Sequence, residues 1–179
     1  MTGKGYIYLL LAASILNMAA GCTKQDRENT IISQEERIDD YISSLADVEV
    51  VHNNGSNRVV VSPGSSTVAE TGDSIYMRFA AYIFSNGPGT LFATNDTSIV
   101  DNNDFSETES LYGEIRLGTT DLVPGLEYGL EGVAEGEHCY IIFSAKYGFN
   151  NTVVGIVPKL SPLFFDIYVD RIVKNGGQN

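Results

Sequence analysis

Along Ser74–Phe84 apolar and polar positions alternate, with Ile75, Met77, Phe79, Ala81 and Ile83 falling on one side. A period of two places successive side chains on opposite faces of a strand, so this row is expected to point inward. Leu163, Phe165, Ile167 and Val169 repeat the pattern with Asp166 and Asp170 turned away, and Cys139, Ile141 and Phe143 form a third row opposed by His138, Tyr140 and Ile142. Two shorter β-rich runs, Val48 to His52 and Arg58 to Ser62, are separated by Asn53-Asn54-Gly55, a strong hairpin signal. Helical spacing appears twice. Ile38, Tyr41, Ile42 and Leu45 make one narrow apolar stripe behind a capping-box pattern of Ser33 and Glu36. Pro124-Gly125 opens a short helix with Leu126 and Leu130 on one face and Gly132 able to end it. One short helix laid across a strongly curved antiparallel sheet is an α+β architecture, here with an extra amphipathic helix at the N-terminal end.

The first residues read as an address. Lys4 precedes an almost wholly apolar run, Tyr6 to Ala20, which is short for a membrane span of about 20 residues. Small residues, Ala19-Ala20-Gly21, then lead into Cys22. This resembles the signal of bacterial lipoproteins, implying removal of residues 1–21, a lipid on Cys22, and a place in the bacterial cell envelope on the periplasmic side or the cell surface. The alternative is an ordinary secretory signal in which Cys22 is only a small residue. Thr23 to Thr30 is polar and charged, as expected of a tether, so residues 22–47 are read as tether plus amphipathic helix and residues 48–175 as the domain. The stripe on that helix serves either packing on the domain or dimerisation or partner binding; its shortness favours packing.

Charge narrows the partners. The chain carries 11 Lys+Arg against 23 Asp+Glu, a formal net charge of −12. That excess disfavours sequence-independent nucleic-acid binding, which needs Lys and Arg on phosphates. It equally disfavours flat docking on anionic lipid, leaving a lipid on Cys22 as the membrane partner. With Cys22 acylated, Cys139 has no thiol to pair with. Asp101, Asn102, Asn103 and Asp104 offer oxygen ligands, but their spacing matches no calcium loop, and a solvated acidic loop is the expectation. His52 and His138 lack neighbouring ligands in sequence and read as surface strand residues. No metal or cofactor is expected.

In order, Leu122-Val123-Pro124-Gly125, Tyr147-Gly148, Gly155-Ile156-Val157-Pro158 and the strand through Phe165-Asp166 resemble the C-terminal half of FKBP-type peptidyl-prolyl cis-trans isomerases, and the likeness extends over roughly Arg58 to Val173. The resemblance implies a hydrophobic pocket between helix and sheet that receives the proline of a polypeptide substrate. It assigns Val123 the backbone N–H that holds a substrate carbonyl, Leu122 its apolar neighbour, and Leu126 the pocket floor where many members have tryptophan. Phe92 corresponds to an aromatic wall, Tyr147 to the hydroxyl that reaches the ligand, Ile156 to an apolar wall, and Phe165 to the aromatic of the last strand.

Three positions depart from the family. Phe79 stands where tyrosine is usual and Ala93 where aspartate is usual, a pair that would hydrogen-bond. Gly113 falls where another pocket aromatic is expected, with Tyr112 beside it as a substitute. The implied activity is isomerisation of X-Pro bonds in exported proteins, which requires a dry, shaped pocket and neither acid, base nor metal. The alternative is a non-catalytic FKBP-like lipoprotein that uses the same cleft to hold a peptide or protein.

Overall fold

In the computed structural model, residues 3–100, 114–118 and 122–175 are described, with side chains over 24–99, 114–118 and 122–175. The helix α1 (Gly3–Ser44) leads into a hairpin of β1 (Glu49–Asn53) and β2 (Ser56–Ser62). Then come β3 (Ser74–Phe84), β4 (Pro88–Thr94), α2 (Thr97–Val100), β5 (Glu114–Arg116), α3 (Pro124–Leu130), β6 (His138–Phe143), a 3-10 turn (Ala145–Tyr147) and β7 (Leu163–Val173). All strand pairs are antiparallel, in the order β1-β2-β6-β7-β3-β4, with β5 also on β3. β3 and β7 form the spine, pairing from Ser74↔Val173 to Ile83↔Leu163. β4 takes the second half of the free edge of β3 and β5 the first.

The first hairpin follows from its turn. Asn54 and Gly55 have φ of 48° and 85°, values open to asparagine and glycine, and Asn53 pairs directly with Ser56 across them. β2 therefore starts two residues before the expected Arg58.

Two apolar layers lie on the two faces of the sheet. On one, Ile75, Met77, Phe79 and Ala81 of β3, Cys139, Ile141 and Phe143 of β6, and Leu163, Phe165, Ile167 and Val169 of β7 bury against Leu126 and Leu130 of α3. These are the three rows that period-two alternation places inward. α3 approaches this face closely because its sheet side carries two glycines. A Cβ on Gly125 would stand 2.3 Å from the Phe143 ring, and one on Gly129 2.3 Å from Ile141. On the other face, Ile38 and Ile42 of α1 bury against Val59, Phe84, Ile142 and Phe164, and the Tyr41 ring meets Phe84 and Phe164 edge-on at 5.6 and 6.1 Å. The narrow stripe thus packs on the domain. Among the described residues no helix is long and apolar enough to cross a membrane.

α1 differs from expectation at its start. Residues 24–33 continue the helix, so the tether segment is helical and Ser33 is an interior residue whose carbonyl accepts from Arg37 Nε at 3.3 Å. The run from Lys24 to Ser44 holds neither proline nor glycine, and Gln25, Arg27, Glu28 and Gln34 to Arg37 are good helix formers. A capping-box pattern caps only where its own Ser leaves helical geometry, and Ser33 here stays within the helix. The side chain of Cys22, Tyr112, Gly113 and the acidic run 101–109 lie outside the described residues.

Candidate functional site

The site forms where α3, β4, β7 and the segment after β6 converge. Its floor is Leu126, 1% exposed, with Phe79 and Phe165 beside it. Phe165 is the hub: its ring lies 6.4 Å from Phe79, 6.2 Å from Phe92 and 5.8 Å from Phe143. Around the edge, Phe92, Val123, Tyr147 and Phe149 are half-buried and pack on the same cluster, with Phe149 edge-on to Phe92 at 6.3 Å. Leu122 is buried next to Val123. The structure therefore brings together Phe79, Phe92, Leu122, Val123, Leu126, Tyr147 and Phe165, residues spread over more than eighty positions of sequence.

Each wall has a local cause. β3 and β4 pair Ala81↔Ala93 but then Tyr82↔Leu91, so Phe92 is the extra residue of a bulge. A bulge re-aims a side chain, and here the Phe92 ring reaches the inner cluster. Thr94 and Asn95 fix the register: Thr94 Oγ1 donates to the Phe79 carbonyl at 2.6 Å, and the Phe79 N–H donates to Asn95 Oδ1 at 2.7 Å. Ala93, paired with Ala81, lies on the same face as Phe79, one step diagonal to it, so both departures from the family are apolar neighbours in the core. Phe79 and Ala93 thus leave the inner face without the polar pair that the family usually places there.

Val123 precedes α3 with φ −65° and ψ 139°, and its carbonyl accepts from Leu126 and Glu127 N–H at 3.0 and 3.2 Å. Among the described residues none accepts the Val123 N–H. The far end of α3 is held by its neighbours: Asn53 Nδ2 donates to Tyr128 O at 3.0 Å and Arg58 Nη1 to Glu131 O at 3.3 Å, meeting carbonyls that a helix end leaves unpaired. Arg58 also stands 3.5 Å from Glu137, both nearly buried. Burial first, and then the Glu137 carboxylate, push the adjacent Cys139 thiol well above the ordinary range.

The Tyr147 ring lies against the first hairpin. A Cβ on Gly55 would come within 2.2 Å of it, so only glycine admits the ring there. The Lys146 ammonium sits 5.0 Å above the same ring, and the neighbouring Tyr147 side chain raises its pKa. In the following segment Val154 and Val157 exchange backbone hydrogen bonds at 3.1 and 2.9 Å, making Gly155-Ile156 the tip of a two-residue turn. Ile156 at that tip is 61% exposed, whereas Val157 is 1% exposed and belongs to the inner cluster. Of the Gly-Ile-Val-Pro residues it is Val157 that packs into the buried cluster. Phe149 and Val157 join the cluster without being singled out in the sequence; within the apolar pair Ile156-Val157 the turn sends Ile156 outward and Val157 inward.

The larger clefts lie elsewhere and have different chemistry. Two clefts of about 520 and 440 Å³ run along α1 and are lined by side chains that include Lys24, Arg27, Lys146 and Lys159. An apolar, aromatic site of this kind is suited to seating a ring-like apolar group.

Comparison with known proteins agrees with this geometry. The family described as FKBP-type peptidyl-prolyl cis-trans isomerase matches residues 65–170. Among solved structures, the chain is similar to a peptidyl-prolyl cis-trans isomerase from Pseudomonas syringae pv. tomato, with a TM-score of 0.60 and 12% identity over 82% of this chain and 96% of that one. It is also similar to the N-terminal domain of FKBP42 from Arabidopsis thaliana, with a TM-score of 0.56 and 13% identity over 73% and 96% of the two chains. The three FKBP domains of wheat FKBP73 give a TM-score of 0.54 and 14% identity over 72% of this chain and 50% of that one. No curated protein matches by sequence.

Proposed function

Since the chain belongs to the FKBP-type peptidyl-prolyl cis-trans isomerase family, we propose that its aromatic site isomerises X-Pro bonds of polypeptides in the bacterial cell envelope, from a position anchored by a lipid on Cys22. The observation that carries this reading is the buried cluster of Leu126, Phe79, Phe165 and Val157 opening onto half-exposed Phe92, Val123, Tyr147 and Phe149. For the anchor, the support is the apolar run and the small residues before Cys22.

Isomerisation makes and breaks no covalent bond. It rotates an amide over a resonance barrier of about 18–20 kcal/mol. Resonance separates charge across the planar amide, and a dry site solvates that separation poorly, so the twisted form is disfavoured less there than in water. On this reading Leu126, Phe165, Phe92 and Val157 seat the proline ring and exclude water. The Val123 N–H donates to a substrate carbonyl and fixes the chain beside the bond that turns, while the Tyr147 hydroxyl orients a second carbonyl. Catalysis results to the extent that these contacts fit the twisted amide better than the planar one.

Phe79 and Ala93 favour a second reading. Both are buried and apolar where the family usually places a hydrogen-bonded tyrosine and aspartate, so the site offers less polar help to the turning amide. A peptide-binding module without turnover retains every other contact. Refolding of a protein whose slow phase is limited by a prolyl bond separates the two: the full chain in mild detergent should accelerate that phase at substoichiometric concentration, and a binding module should leave it unchanged or slow it.

A further inference from the structure

Gln34 of α1 is a polar residue buried to 2% exposure, and both ends of its amide are used. Its Oε1 accepts the Ala145 N–H at 2.9 Å and its Nε2 donates to the Leu160 carbonyl at 2.7 Å. The neighbouring Glu35 accepts the Ser144 hydroxyl at 3.1 Å. Residues 145 and 160 bracket the segment that contributes Tyr147, Phe149 and Val157 to the site. One side chain from outside the matched family region, which begins at residue 65, therefore ties both ends of an active-site loop.

Each end has a need that Gln34 meets. Ala145 opens the 3-10 turn Ala145–Tyr147, whose preceding Ser144 gives no side-chain cap, so its first N–H has no local acceptor. Leu160 has φ of +57°, a conformation a branched side chain adopts only when its surroundings impose it. The Leu160 N–H donates to Asn150 O at 2.7 Å and its carbonyl takes the Gln34 amide, so the unusual backbone is pinned from both sides. Glutamine is long enough to span the two ends and carries a donor and an acceptor on one rigid group. A stripe of apolar contacts alone, Ile38 and Ile42, would dock α1 without choosing the position of this loop.

We propose that Gln34 is a positioning residue of the prolyl pocket: docking of α1 sets the loop of residues 145–160, and through it Tyr147 and Val157, in the geometry that binds and turns the substrate. The effect on turnover rests on the isomerase reading above; the effect on the loop does not. Three variants of the full chain test it. Gln34→Leu removes both bonds, Gln34→Glu keeps the acceptor for Ala145 but loses the donor to Leu160, and Ile172→Ala weakens the core at the far end of β7 as a control for stability alone.

Amide hydrogen exchange read by mass spectrometry should show lost protection across 145–160 in Gln34→Leu, lost protection confined to the Leu160 end in Gln34→Glu, and neither in Ile172→Ala. On an X-Pro peptide, kcat/KM should fall about tenfold or more in Gln34→Leu, as small misplacements of a site produce, and remain at the wild-type value in Ile172→Ala. Unchanged exchange across 145–160 in both Gln34 variants overturns the proposal whatever the activity. A loosened loop with full kcat/KM also overturns it, because the pocket would then not depend on the clamp. A wild-type chain without isomerase activity refutes the catalytic reading instead, and peptide affinity then takes the place of kcat/KM: an affinity equal in wild type and Gln34→Leu would again sink the positioning role.

Discussion

The Phe165 ring stands edge-on to Phe92, with centroids 6.2 Å apart and planes at 88°, and the same ring stacks on Phe143 at 5.8 Å. One side chain thus links the half-buried aromatic rim to the core beneath it. Phe165→Ala should cost about 3–5 kcal/mol of folding stability, as large-to-small changes of buried aromatics do, and should abolish turnover even where the protein remains folded. Denaturant unfolding and peptide isomerisation on the same preparation check both. Phe92→Ala, at the half-exposed rim, should lose turnover with a smaller loss of stability.

Phe79 and Ala93 are diagonal neighbours on one face of the β3–β4 pair, which makes the missing polar pair testable in place. Ala93→Asp alone should destabilise the domain, because a buried carboxylate without a partner loses hydration and its pKa rises. Phe79→Tyr alone should cost less. The double variant should be more stable than the sum of the singles, by about 0.5–3 kcal/mol of coupling, since the phenol can donate to the carboxylate. A coupling of zero in a denaturation cycle would mean that the two side chains do not meet.

Gly125 tests how α3 reaches its place. A Cβ there would stand 2.3 Å from the Phe143 ring, in a core that has no slack. Gly125→Ala should raise helix propensity and yet lower stability by about 1–3 kcal/mol through overpacking. It should also weaken substrate affinity, because the Val123 N–H moves with the helix. Thermal unfolding and peptide binding measure the two effects.

The spine strands, α3 and the first hairpin are legible because their signals are local: period-two rows in β3, β6 and β7, Pro124 at a helix start, Asn54-Gly55 in a tight turn. The rows that alternation assigns inward bury on the α3 side, Ile83 only partly, while Phe84, Ile142 and Phe164 of the opposite face bury under α1. The start of α1 is not legible, since Ser33 and Glu36 carry the letters of a cap while the preceding polar residues remain good helix formers. Nor is the bulge at Phe92, which depends on how β4 meets β3, or the choice between Ile156 and Val157, which a two-residue turn decides. Gln34 is the plainest case: a polar residue on a helix reads as solvated, and only the position of loop 145–160 makes it buried.

Asp73 closes the end of the sheet away from the pocket. Burial pushes its carboxyl up, but hydrogen bonds from Lys174 and from the backbone N–H groups of Glu70 and Asn175 outweigh that and hold its pKa below the ordinary value. A depressed carboxyl stabilises the fold above its unfolded pKa of about 3.9 and loses that contribution as pH falls through the lower folded value. Asp73→Asn should therefore lower the Tm at pH 7 and show a shallower further loss below about pH 4 than wild type. Melting curves across that range decide it.

The most direct measurement is NMR exchange spectroscopy on a peptide with an apolar residue before its single proline, with and without the full chain in mild detergent. The cis–trans exchange rate should rise in proportion to protein concentration well below saturation, and the rise should disappear in Phe92→Ala. Saturable binding of the peptide with an exchange rate equal to that of the free peptide would contradict catalysis and leave the pocket as a binding site.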